Sequence, residues 1–146
     1  MIRKRNPARD DRKVLAFVEQ QLLPYARKTT PGIRVTMKSI KKRLDGGATY
    51  VAQTAGSLTV GFISLIRKDH VMYVDMLAVH PGYQGKGYGS ALMRWAERAA
   101  SLKGCGEVRL WVDEANTGAQ KFYSKMGFTP IHFEQKVNCY LMVKAI

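Results

Sequence analysis

Residues 80–104 read HPGYQGKGYGSALMRWAERAASLKG. Gly82, Gly85, Gly87 and Gly89 fall within eight residues, and a helical pattern follows at once. Glycine loses more backbone entropy on folding than other residues, so such a cluster needs a cause. Something that must come close to the backbone is one. A helix N-terminus carries unpaired N–H groups and a partial positive charge, and glycines ahead of it leave those groups open to an anion. The spacing therefore points to phosphate binding. Two common phosphate patterns fail. A P-loop needs Gly, four residues, then Gly-Lys and Ser or Thr. Here His80 holds the first position and Gly87 the last. A dinucleotide fingerprint needs a third glycine where Ser90 stands.

A third pattern fits: Gln84, two residues, Gly87, one residue, Gly89. On these residues the chain resembles the GCN5-related N-acetyltransferase superfamily, over essentially its whole length. The stretch YVDMLAVHPGYQGKGYGSAL is similar to that family's strand, pyrophosphate loop and helix start. The stretch NTGAQKFYSKMGF is similar to its second signature, with Asn116, Ala119 and Tyr123 ahead of Gly127-Phe128. The two stand about 30 residues apart with a strand pattern between them.

The resemblance implies a mixed α+β fold. Its sheet has about seven mostly antiparallel strands, splayed in the middle, with four helices on its faces. It implies an acetyl-CoA-dependent enzyme, in which the primary amine of a small molecule or peptide attacks the thioester directly. Gln84, Gly85, Lys86, Gly87, Tyr88, Gly89 and Ser90 would seat the coenzyme's diphosphate. Leu77, Ala78 and Val79 would pair with the pantetheine arm in the gap between strands Val71–Val79 and Glu107–Asp113. Asn116, Ala119 and Phe122 would meet it from the second signature, and Asn116 equally suits a helix cap. Tyr123 matches the family's general acid. A phenol titrates near pH 10, so it can donate at neutral pH. Asp75 stands where some members carry a glutamate base, and its shorter side chain calls for a bridging water. Periodicity sets it on one face with Tyr73 and Leu77. Trp111 replaces another family glutamate and shapes the acceptor pocket or packs. Asp113 and Glu114 are further candidate bases.

The elements that position these groups are legible from periodicity. Met1–Arg5 reads as a short strand. Asp10 or Asp11 can cap a helix carrying Val14, Leu15, Phe17, Val18, Leu22 and Leu23, with a bend or end at Pro24. A short basic helix follows over Thr36–Leu44, stopped by Gly46-Gly47. Ala48–Gln53, Leu58–Ile66 and Val71–Val79 form an antiparallel meander. After the glycines, Leu92, Trp95, Ala96, Ala99 and Leu102 line one helix face. Strand Glu107–Asp113, helix Asn116–Met126, and strands Phe128–Gln135 and Asn138–Lys144 complete a single domain over residues 1–146.

Composition sets the alternatives. The net charge is +13, and the first 70 residues hold 15 Lys and Arg against 5 Asp and Glu. Such a field favours anionic partners. A nucleic-acid-binding module is one rival reading, but no base-reading motif accompanies the charge. A catalytically silent coenzyme A sensor is another. His70, His80 and His132 lack metal-ligand spacing, as do Cys105 and Cys139, so no metal site is expected. No signal peptide or apolar span is visible, and two cysteines make no disulfide framework. A cytoplasmic monomer or homodimer is the expectation.

Overall fold

A computed structural model describes residues 1–146. The strands are β1 (Ile2–Lys4), β2 (Ala48–Gln53), β3 (Thr59–Lys68), β4 (Val71–Val79), β5 (Glu107–Asp113), β6 (Thr129–Glu134) and β7 (Cys139–Ala145). They form one sheet in the order β1-β2-β3-β4-β5-β7-β6. Only β4 and β5 run parallel. The helices are α1 (Pro7–Phe17), α2 (Leu23–Thr29), α3 (Met37–Asp45), α4 (Tyr88–Leu102) and α5 (Thr117–Lys125). A π-helical turn at Val18–Leu22 joins α1 to α2, so the expected first helix exists in two segments.

Two apolar clusters sandwich the sheet. On one face Leu92, Met93 and Ala96 of α4 and Tyr123 of α5 pack against Ile63, Leu65, Val108 and Leu110. On the other, Val14, Phe17, Ile40 and Leu44 of the α1–α3 layer pack against Val51, Phe62, Met76 and Ala78. The α4 face is rotated from its expected position. Leu102 is 83% exposed, and Met93 and Ala100 are buried instead.

The caps differ in the same informative way. Asn6, not Asp10 or Asp11, caps α1, accepting from the Arg9 N–H with Pro7 at the first helical position. Both aspartates are buried inside the helix. Asp10 takes the Arg3 guanidinium, and Asp11 takes Arg5 and Lys41 at 2.6 and 2.8 Å. This network ties β1 and α3 to α1. Hydrogen bonds from Arg5, set against burial and aided by Lys41, hold the Asp11 carboxyl below the usual range. A depressed carboxylate stabilises the fold above its unfolded value of about 4, and that contribution is lost as pH falls. Asp11→Asn should therefore cost about 3 kcal/mol at pH 7, the low end for breaking a buried pair because Asp45 still holds Arg5. Urea unfolding measures it, and the gap from wild type should narrow near pH 3. A cost below about 1 kcal/mol at pH 7 would remove the network from the fold's supports.

Candidate active site

The cleft begins where two strands part. β4 pairs with β5 from Val71↔Glu107 to Val74↔Leu110 and no further. Beyond that point β4 stays with β3 as far as Val79, while β5 stays with β7 as far as Asp113. The His80 N–H donates to the Val60 carbonyl. By the alternation of an antiparallel ladder, Ala78 and Met76 also bond to β3, and the backbone groups of Leu77 and Val79 face the gap. The three-residue stretch expected to meet the pantetheine arm thus divides, with Ala78 spent on the sheet.

A bulge sets the faces of this strand. Ser64 pairs with Met76 and Leu65 with Val74, leaving Asp75 as the extra residue. Met72 and Val74 consequently pack under α4, whereas Met76 and Ala78 pack under the α1–α3 layer. Asp75 does not share a face with Leu77, contrary to the periodicity. Its carboxylate points to α3, where Arg43 grips it with two bonds of 2.7 and 3.1 Å. It lies outside the cleft lining.

The glycine loop joins β4 to α4. Its glycines divide by role. Gly85 and Gly87 hold positive φ angles of 77° and 91°, and a Cβ on either would meet nothing within 4 Å. Gly89 is different: its Cβ would lie 3.3 Å from the Phe122 ring. That glycine lets the first turn of α4 lie on α5. Gly82 faces the His80 ring, whose Nδ1 accepts from the Gly82 N–H at 3.0 Å. Gly87 caps α4 without a side-chain bond. No backbone N–H from Gly85 through Ser90 has a partner in the protein. Successive unpaired donors around left-handed backbone are the kind of arrangement that can bind an anion, and the positive end of a 15-residue helix adds to it. The Tyr83 ring supports the loop, meeting His80 and Tyr88 edge-on and carrying the Lys86 ammonium 5.3 Å above its centroid. Gln84 turns inward and donates to the Val79 carbonyl at 2.9 Å, pinning the loop to the end of β4.

Seat and splay open onto one cleft of about 580 Å³. Leu77, Ala78 and Val79 line it beside Gln84, Gly85, Gly87, Gly89 and Ser90. From α5 come Asn116, Ala119, Phe122 and Tyr123. Asn116 caps α5 through its Oδ1, which accepts from the Ala119 N–H at 3.1 Å, and its amide NH₂ makes no bond. Tyr123 is 8% exposed, wedged between Phe122 and Phe128. Burial pushes its phenol well above the ordinary value near 10. Its hydroxyl bonds to nothing in the protein.

Gln21, Leu22 and Tyr25 complete the wall. Sequence reasoning missed them. The π-helical turn adds a residue to the helical register and swings them over the gap, a placement common at functional sites. Only Pro24 hinted at the break. Trp111 lies apart from the cleft lining, 47% exposed with its ring edge-on to His132. Lys86 and Tyr88 shape the loop without lining the cleft.

Residues 15–128 match the Acetyltransferase (GNAT) family. An uncharacterized N-acetyltransferase of Methanocaldococcus jannaschii is 34% identical over 111 residues, 71% of this chain and 48% of its own length. Streptothricin acetyltransferase of Streptomyces lavendulae is 35% identical over 82 residues, 55% of this chain and 43% of its own. The chain thus spans about half the length of these curated relatives. Among solved structures, the Ard1 protein of Thermoplasma volcanium superposes with a TM-score of 0.83 at 25% identity, covering 100% of this chain and 97% of the other. The paiA N-acetyltransferase of Thermoplasma acidophilum, solved with coenzyme A, superposes at 0.81 with 22% identity, covering 100% and 98%. The splayed sheet, the glycine loop and the sequence match lead to one assignment: the chain belongs to the acetyltransferase (GNAT) family.

Proposed function

We propose that the protein is an N-acetyltransferase that moves an acetyl group from acetyl-CoA to a primary amine. The observation that carries this is the run of unpaired N–H groups from Gly85 to Ser90, of which Gly85, Gly87, Gly89 and Ser90 line the same cleft as Leu77 and Val79 at the parted end of β4 and as Tyr123. Acetyl-CoA supplies the thioester that the amine attacks. The glycine loop seats its diphosphate, and Leu77 and Val79 hold the arm as an added strand. The free amide of Asn116 donates to the same arm, with Ala119 and Phe122 beneath it.

Tyr123 donates the proton that the departing sulfur takes up. Burial keeps this phenol protonated across the working range of pH. The incoming ammonium loses its proton to water in the cleft, because Asp75 lies outside the cleft lining with both carboxylate oxygens on Arg43 and so is not placed to take it.

The acceptor side is cationic. Lys28 lies 5.7 Å over the ring of Tyr25, which walls the cleft, and Arg27, Lys28 and Arg34 are exposed around the α2–α3 connection. Each close like-charge contact near a surface costs on the order of 1 kcal/mol or more before screening. We therefore expect a monoamine that is neutral or carries a carboxylate or phosphate to outperform a polyamine. Thiol release with spermidine, an amino acid, an amino-sugar phosphate and a short peptide tests this as kcat/KM at low and high salt. Spermidine winning at low salt would overturn the acceptor class. Binding of acetyl-CoA without thiol release to any amine would support the sensor reading instead.

A further inference from the structure

The aspartates of the α1–α3 layer are paired, and several of its bases are not. Asp10, Asp11 and Asp45 are each bound by an arginine of β1 or the turn after it, Asp11 by Lys41 as well, and Asp75 by Arg43. That leaves Arg9, Arg12 and Lys13 on α1, and Lys38 and Lys42 on α3, all exposed. None of the five has a carboxylate partner. Glu19, the remaining acid of these helices, lies beyond the patch in the π-helical turn.

Helical geometry makes the five one surface. On α1, Val14 and Phe17 are buried, so Arg9, Arg12 and Lys13, at i, i+3 and i+4, form the outward stripe. On α3, Ile40 and Leu44 are buried, so Lys38 and Lys42, at i and i+4, point directly away from the core. The two helices lie side by side, clamped by the bond from Lys41 to Asp11. Arg9 with Lys13, and Lys38 with Lys42, are like-charge i, i+4 pairs, each of which weakens its helix by a few tenths of a kcal/mol. Asp10 beside Arg9 and Asp45 three residues beyond Lys42 offset part of that repulsion, but both carboxylates are already held by other arginines. A polyanion laid across both helices would offset it over the whole face.

We propose that this face binds the phosphate backbone of double-stranded nucleic acid, independently of base sequence. No large apolar side chain is exposed on α1 or α3, so the face has nothing to insert into a lipid layer. It presents no aromatic ring on which an unpaired base could stack. What remains is a row of point charges, which suits phosphates and reads no sequence. The absence of a base-reading motif is in keeping with such contacts. The site is separate from the acetyl-transfer cleft.

Five phosphate contacts give a slope of roughly −4.5 in log K against log salt on B-DNA. The test is fluorescence anisotropy of a short DNA duplex and an RNA duplex of equal length, from about 50 to 200 mM salt. Affinity should fall roughly 10²–10³-fold across that range. The variant R9E/R12E/K13E should lose at least tenfold in affinity at 50 mM salt, with the slope shallower by about 3. The variant R67E/R94E/K103E removes the same charge elsewhere and should lose far less. Both should retain acetyl-CoA binding, which reports that they are folded. Binding of either duplex with this pattern supports the proposal. Equal losses in the two variants, no duplex binding at 50 mM salt, or tighter binding to anionic phospholipid vesicles than to duplexes would overturn it.

Discussion

Tyr123→Phe is expected to lower kcat about 10²-fold while leaving the dissociation constant of acetyl-CoA within about twofold. General acids contribute roughly 10²–10⁴-fold, and the low end applies because a thiolate of thiol pKa about 8.5–9 leaves readily without help. The substitution isolates chemistry from packing. The ring is held by Phe122 and Phe128, and phenylalanine keeps those contacts. The hydroxyl has no partner in the protein, so its removal breaks no bond of the fold. Stability should move by less than about 0.5 kcal/mol at neutral pH. The pH dependence adds a second check. Burial raises the phenol's pKa, so the folded protein keeps it protonated past the point where an unfolded chain ionises it, near pH 10. The kcat profile should therefore show no loss of this acid between pH 7 and 10. The stability that this raised pKa contributes is present below about pH 10 and fades above it. Wild-type kcat in the variant with a good acceptor would show that Tyr123 only fills space.

The sheet was legible from sequence because its strands are rich in β-branched and aromatic residues between clear turns, and β2, β4 and β5 begin and end where those patterns do. The parting of β4 and β5 was visible only through resemblance, since no local pattern in Val71–Val79 or Glu107–Asp113 marks where pairing stops. Three features were hidden for physical reasons. The bulge at Asp75 leaves the alternation of Val71–Val79 intact on paper while reversing its faces in space. The π-helical turn adds one residue to a run whose apolar spacing already fits an ordinary helix, and so conceals Gln21, Leu22 and Tyr25. The roles of the glycines depend on what each missing Cβ would meet. Gly87 faces open space, and Gly89 faces Phe122. Asp10 and Asp11 looked like caps because acids favour helix starts. Their true partners, Arg3, Arg5 and Lys41, sit on other elements.

If the glycine loop seats the diphosphate, Gly87→Val should disrupt coenzyme binding most directly. Valine at φ 91° is strained by about 1–3 kcal/mol, and its side chain would project where no protein atom lies within 4 Å. The turn that aims the Gly85–Ser90 N–H groups would distort, and the approach to them would be filled. Loss of two hydrogen bonds to a charged group, each at least about 1.5 kcal/mol, corresponds to a weakening of roughly 100-fold or more. Backbone strain alone is controlled by Gly104→Val. Gly104 has φ 74° and equally open space, but it lies at the far end of α4. The measurement is calorimetric titration of acetyl-CoA into the wild type and both variants, at a temperature where circular dichroism shows all three folded. A diphosphate seat at this loop predicts a weakening of about 100-fold in Gly87→Val and an unchanged affinity in Gly104→Val. An affinity for Gly87→Val within about threefold of wild type would contradict it.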